Sequence, residues 1–163
     1  MQIKFFCPRW GSANIPWESF CKKAKDAGFD GVETPIPFGN AEQLEIMSAL
    51  KKHELLLIGQ YYQSFEKDLD HNKENFKKHM ESMAALKPLL IDAQTGKDYF
   101  NSAQNRELFQ LAIQITNETG VLIAHETHRL VVVRQFHRQS PCRHRRQMHS
   151  PAENRPPFCR LNF

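Results

Sequence analysis

The sequence predicts an α/β fold: a partial (β/α)8 TIM barrel of about five βα units with an irregular basic C-terminal tail. Three observations predict it. Short apolar runs alternate strictly with amphipathic helical stripes in the order β-α-β-α-β-α-β-α-β, which demands parallel pairing with right-handed crossovers. No Gly-x-Gly-x-x-Gly follows the first strand, so a dinucleotide-binding open sheet loses its main support and the barrel is the better alternative. A closed barrel takes about 250 residues, whereas this chain has 163, so it is expected to be the N-terminal five-eighths of one.

The elements follow in order. Gln2 to Phe6 is a β-like run. After Pro16, suited to a first helical turn, Trp17, Phe20, Cys21, Ala24 and Ala27 recur at helical spacing until Gly28 ends the helix. Phe29 to Glu33 reads as a strand, and Thr34 to Gly39 as a loop whose prolines forbid further pairing. Asn40 can cap a second helix with Leu44, Met47 and Leu50 inward. Leu55 to Ile58 is a buried strand, and Phe76, Met80, Met83 and Ala84 form a third helical stripe, with the two methionines as core. Leu89 to Ile91 is the next strand. Asn101 or Ser102 can cap a fourth helix with Leu108, Leu111, Ala112 and Ile115 inward, closed before Gly120, and Val121 to Ala124 is the fifth strand.

The formal charge of +4 is unevenly spread. Residues 1–129 carry 12 Lys and 3 Arg against 17 acids, a net −2, while residues 130–163 carry 7 Arg, no Lys and the single acid Glu153, a net +6. The tail also holds four of the nine prolines and none of the seven glycines, so two different sequences meet near Arg129. No apolar run approaches the roughly 18 residues of a membrane span, and the N-terminus lacks the apolar core of a signal peptide, so a cytoplasmic address is expected. The four cysteines form no Cys-x-x-Cys pair and are expected as free thiols.

In a barrel the strand ends carry the chemistry. Here they read Gly31-Val32-Glu33, Gly59-Gln60-Tyr61-Tyr62, Asp92-Ala93-Gln94-Thr95-Gly96-Lys97-Asp98 and Ala124-His125-Glu126-Thr127-His128-Arg129. Alternation places Glu126 and His128 on one side of their strand, assigned to the barrel mouth, and His125 on the other as a packed histidine. The His-Glu-Thr-His string is no zincin motif, because its histidines are three apart on a strand rather than four apart on a helix. Lys97 and Asp98 read as a polar loop.

With the Ala27-Gly28-Phe29-Asp30-Gly31-Val32-Glu33 turn, and Gly120-Val121-Leu122-Ile123-Ala124-His125-Glu126-Thr127-His128-Arg129 in the fifth unit, residues 1–129 resemble the sugar phosphate isomerase/epimerase family, which has a xylose-isomerase-like barrel. The resemblance implies a small-molecule sugar or sugar phosphate substrate and a divalent metal, Mn²⁺, Mg²⁺ or Zn²⁺, at the C-terminal mouth. It implies that Glu126 is both a metal ligand and a catalytic acid or base. The family's remaining ligands, an aspartate, a histidine and a second glutamate, come from strands six to eight, for which this sequence has no matching segment. Glu33 is a second catalytic candidate on the substrate side, and His128 and Arg129 are candidates for binding substrate hydroxyls or phosphate. Such enzymes remove a proton next to a carbonyl and stabilise the enediolate that forms. With one expected ligand present, metal binding is expected to be weak or absent, and the chain inactive.

A frame-shifted terminus accounts for the composition switch near Arg129, where a disordered tail is otherwise expected. One codon set for Phe158 to Phe163, read one base forward, gives Phe-Ala-Asp-Leu-Thr, which looks like the next strand of this family. A zinc site from Cys142, His144, His149 and Cys159 is discounted on irregular spacing, and a nucleic-acid arm for want of a stacking platform. Two alternatives stay open. An endonuclease of the same barrel superfamily would want metal histidines and a basic groove, which the body's net −2 opposes; a non-catalytic or vestigial sugar-binding protein would keep the fold without turnover.

Overall fold

The computed structural model describes residues 3–126, and five strands and four helices alternate along them. The tail at 130–163, together with His128 and Arg129, lies outside the described residues. The elements are β1 (Phe6–Pro8), α1 (Trp17–Asp26), β2 (Gly31–Pro35), α2 (Asn40–Lys52), β3 (Leu56–Tyr61), α3 (Leu69–Ala84), β4 (Leu90–Ala93), α4 (Ser102–Thr119) and β5 (Ile123–His125). All four pairings are parallel, and the spatial order β1-β2-β3-β4-β5 is the sequence order. A doubly wound sheet reverses direction at a switch point. This sheet advances one unit at a time, as a barrel wall does.

Register divides the sheet into two faces, since paired residues in parallel strands point the same way. The outer face carries Val32, Thr34, Leu57, Tyr61, Ile91, Ala93 and Ile123, all buried. They pack on Phe20, Cys21 and Ala24 of α1, Ile46, Ala49 and Leu50 of α2, Phe76, Met80 and Met83 of α3, and Ala112 and Ile115 of α4. Register puts Gly59 on this face, where a Cβ would sit 3.2 Å from Met83 Sδ. The inner face carries Glu33, Ile58, Gln60, Asp92, Leu122 and Ala124 and is much more open: Leu56 is 37% and Leu122 56% exposed. Gly31 is required here, since a Cβ would meet the Phe6 ring and the Leu56 carbonyl.

Each strand begins one to four residues later than the apolar runs suggest. The run that follows a helix is spent partly on the turn, where Phe29, Leu55 and Val121 pack against the core. Pairing then continues into residues that alternate with polar inner-face groups. Thr34 and Pro35 thus belong to β2 and not to a loop. Arg9 N–H donates to Glu33 O, so Glu33 turns its backbone toward β1, and Pro35 two residues on turns the same way, beyond the end of β1 at Pro8. Its missing N–H therefore costs no ladder bond.

Helix α2 differs too. Gly39 stands at its N-cap, Asn40 is its first residue, and its buried stripe is Ile46, Ala49 and Leu50, leaving Leu44 exposed. In α4, Asn101 accepts from Gln104 N–H while Gln104 Oε1 accepts from Asn101 N–H, a complete capping box. Cys7 and Cys21 are free thiols.

Candidate active site

The inner-face parity of the strands gathers three carboxylates at the C-terminal end of the sheet. Glu33 comes from the middle of β2, Asp92 from β4, and Glu126 follows β5, its N–H donating to Ala93 O at 3.0 Å so that pairing extends one residue past the strand. The glutamates are held by side-chain amides. Gln60 Nε2 donates to Glu33 Oε1 at 3.0 Å, and Trp10 Nε1 donates to Gln60 Oε1 at 3.0 Å, a chain from the loop after β1 to the carboxylate on β2. On the far side Gln94 Nε2 donates to Glu126 Oε2 at 3.0 Å.

Burial and like charge act on this group together. Burial raises the pKa of Glu33, and the neighbouring Asp92 and Glu126 raise it further, against the hydrogen bond from Gln60. Burial and then Glu126 raise that of Asp92. A carboxyl whose pKa is lifted toward neutrality is suited to exchange protons with substrate.

Sequence reasoning selected Glu33 and Glu126, and the structure brings both to one face and one end. It adds Asp92, Gln60 and Gln94, which lie in the strand-end segments without having been given roles, and Trp10, which was not singled out. Parity from β3 and β4 was the signal for the first three. His128 and Arg129 fall outside the described residues. His125 lies on the helix-facing side of β5, where its Nδ1 is 2.9 Å from Thr95 Oγ1, its ring meets Phe109 edge-on at 4.7 Å and local desolvation lowers its pKa, although the residue stays exposed. Lys97 is buried rather than part of a solvated loop; its N–H and C=O are both bound by the buried Asn105 side chain, at 2.9 Å each.

Carboxylate oxygens are the donors that hard divalent cations take. Among the described residues, however, no three His, Cys, Asp or Glu side chains come together as ligands for one ion. Glu126 Oε2 is engaged with Gln94. The three acids do not fit a cation cage by themselves. Among the described residues no helix is long and apolar enough to cross a membrane.

No protein-family model matches the chain, and no curated protein does. Among solved structures it is similar to the 3-keto-D-glucoside 4-epimerase of E. coli in its apo form, with a TM-score of 0.59 and 14% identity over 79% of this chain and 60% of that one. It is also similar to a D-tagatose 3-epimerase-like protein, with a TM-score of 0.60 and 14% identity over 80% of this chain and 56% of that one. The chain thus spans less than two thirds of either. At this identity the likeness concerns the fold, and with the sequential parallel strand order it makes the described residues a partial TIM barrel.

Proposed function

We propose that this chain carries part of the site of a sugar isomerase or epimerase, with a small sugar bound on the inner face of the sheet and Glu33 and Glu126 serving as proton-transferring groups. The observation that carries the reading is the convergence of Glu33, Asp92 and Glu126 at the C-terminal end of the strands, the end where barrels of this kind do their chemistry. The two epimerases of like fold support the choice of a sugar as substrate.

The steps follow from the side chains present. Interconverting epimers, or an aldose and a ketose, begins with removal of a proton from the carbon beside the carbonyl. A carboxylate takes that proton, and Glu33, whose pKa is raised, is suited both to accept it and to return it. Gln60 fixes Glu33, Gln94 fixes Glu126, and each glutamate keeps an oxygen for a substrate hydroxyl. The enediolate is an anion formed beside three acids, and among the described residues no cation faces it at hydrogen-bonding distance. Binding and proton transfer are within reach of these residues, while turnover needs positive charge from elsewhere in a complete barrel. The divalent metal of the resemblance, with Glu126 as one ligand, belongs to that complete protein.

The test is solvent deuterium incorporation next to the carbonyl of D-tagatose and other ketoses and their phosphates, with and without chelator. The 163-residue chain should bind ketose without exchange. A protein read through in the frame that continues the barrel should exchange, and Glu126→Gln should reduce the rate by about a hundredfold or more. Exchange by the short chain, or a continued protein indifferent to Glu126→Gln, would contradict the reading.

A further inference from the structure

A second concave surface adjoins the carboxylates on the β1 side. It is a cleft of about 940 Å³ between the β1–α1 and β2–α2 loops, with Arg9, Trp10, Ala13, Glu42, Glu45 and Tyr62 among its lining residues. A single sugar ring fills only a fraction of such a volume.

Three features define what the cleft accepts. First, the Trp10 indole is 68% exposed, yet its Nε1 is pinned to Gln60 at 3.0 Å, so its face is open and its orientation fixed. A ring held this way is a platform for the C–H face of a pyranose, which has apolar area to bury and little ordering entropy to oppose it. Second, the cleft belongs to an aromatic rim. Every described βα loop offers an exposed ring: Trp10 after β1, Phe38 after β2, Tyr62 and Phe65 after β3, and Tyr99 after β4. At the opposite end of the strands the exposed apolar side chains, Ile3, Leu56, Leu89 and Leu122, are aliphatic, with Phe5 the exception.

Third, the polar groups suit a neutral ligand. The Arg9 guanidinium lies 4.2 Å from the centre of the Trp17 ring and 4.5 Å from that of Phe20, and Nη2 donates to Ile15 O. Its Nη1 is buried without a hydrogen-bond partner. A buried donor of this kind calls for an acceptor. Glu42 and Glu45 line the same cleft, giving it one positive and two negative side chains. A phosphate dianion would meet net repulsion there, whereas a neutral hydroxyl can donate to a carboxylate.

We propose that this cleft binds the second ring of a neutral disaccharide whose reducing unit, the one that can present a carbonyl, lies against Glu33, making the substrate class glycosidically extended sugars rather than sugar phosphates. The proposal rests on the sugar reading of the carboxylate site, with Trp10 and Gln60 joining the two places.

The test is an NMR titration of the isotope-labelled 163-residue chain with methyl β-glucoside, cellobiose, maltose and glucose 6-phosphate. It follows the Trp10 indole N–H and the side-chain amides of Gln60 and Gln94. At least one disaccharide should bind about tenfold more tightly than methyl β-glucoside and shift Trp10 and Gln60 together. Glucose 6-phosphate should bind no better than methyl β-glucoside. Ala13→Trp fills the cleft from an exposed loop position and should abolish the disaccharide advantage while leaving the affinity for methyl β-glucoside unchanged. Equal affinities, an advantage that survives Ala13→Trp, or tighter binding of glucose 6-phosphate would overturn the proposal. Sugars that shift Gln60 and Gln94 but leave Trp10 unmoved would overturn the cleft and keep the carboxylate reading. Sugars that move none of the three would overturn both.

Discussion

At the scale of single residues, the carboxylates oppose the fold that positions them. Glu33 and Asp92 have folded-state pKa values raised from their ordinary ones, through burial first and like charge second. The folded chain therefore holds these protons to higher pH than the unfolded chain does. The contribution of these two groups to stability is greatest below their unfolded pKa, at about pH 4, and falls as pH rises through the folded values. Glu33→Gln keeps an oxygen for the Gln60 amide and removes the charge, so it should stabilise the chain at about pH 7 by roughly 0.5 kcal/mol once solvent screening is allowed for. It should also flatten the pH dependence of the melting temperature, and Asp92→Asn should act in the same direction. A lower melting temperature for Glu33→Gln at neutral pH would show that its ionised form is satisfied and not strained. These acids were legible in unequal measure. Glu33 and Glu126 end apolar runs and were picked out; Asp92 sits inside a polar string that reads as a loop until β4 is known to reach Ala93. Trp10 gave no periodic signal, since it acts through one long-range hydrogen bond to Gln60.

At the scale of elements, helix ends explain which boundaries the sequence disclosed. Helices α1 and α4 are followed by Gly28 and Gly120 at φ +86° and +72°, positions that glycine marks openly. Helices α2 and α3 turn through Glu54 and Lys87, both at φ 51°, and neither residue announces a left-handed turn. A left-handed L-residue costs about 1–2 kcal/mol, partly offset by its smaller entropy in the unfolded chain. Lys87→Gly should therefore stabilise the chain slightly, by less than about 1 kcal/mol. Gly120→Ala should destabilise it by about 1 kcal/mol or more through backbone strain alone, because an added Cβ there meets nothing within 4 Å. Chemical denaturation of the two variants measures both signs; a stabilising Gly120→Ala would contradict the account. Asn105 shows the other way an element hides from sequence. It lies within α4, where an asparagine ordinarily reads as a solvent-facing residue, yet it is buried and donates to both Lys97 O and Phe100 O.

At the scale of the whole molecule, helices cover one face of the sheet and leave the other open among the described residues. The outer face is sealed, with Val32, Tyr61, Ile91 and Ala93 fully buried, while the inner face leaves Leu56 and Leu122 open, and β1 and β5 each pair on one side only among the described residues. In a closed barrel that inner face is packed by residues from strands all around the ring. The alternating pattern disclosed the units and their parallel order, but closure is a long-range property that no local pattern carries. The exposed apolar part of the inner face, at Leu56 and Leu122, and two edges unpaired among the described residues favour association with another chain. The 163-residue chain should therefore sediment as a mixture of monomer and larger species at micromolar concentration, with a melting midpoint that depends on concentration. Leu122→Lys tests the cause as well as the effect. Its side chain is already more than half exposed, so the charge costs the fold little and should shift the mixture toward monomer. A monomeric chain with a sharp, concentration-independent melt would show that the inner face is covered within the chain itself. Association unchanged by Leu122→Lys would move the contact from that face to the strand edges.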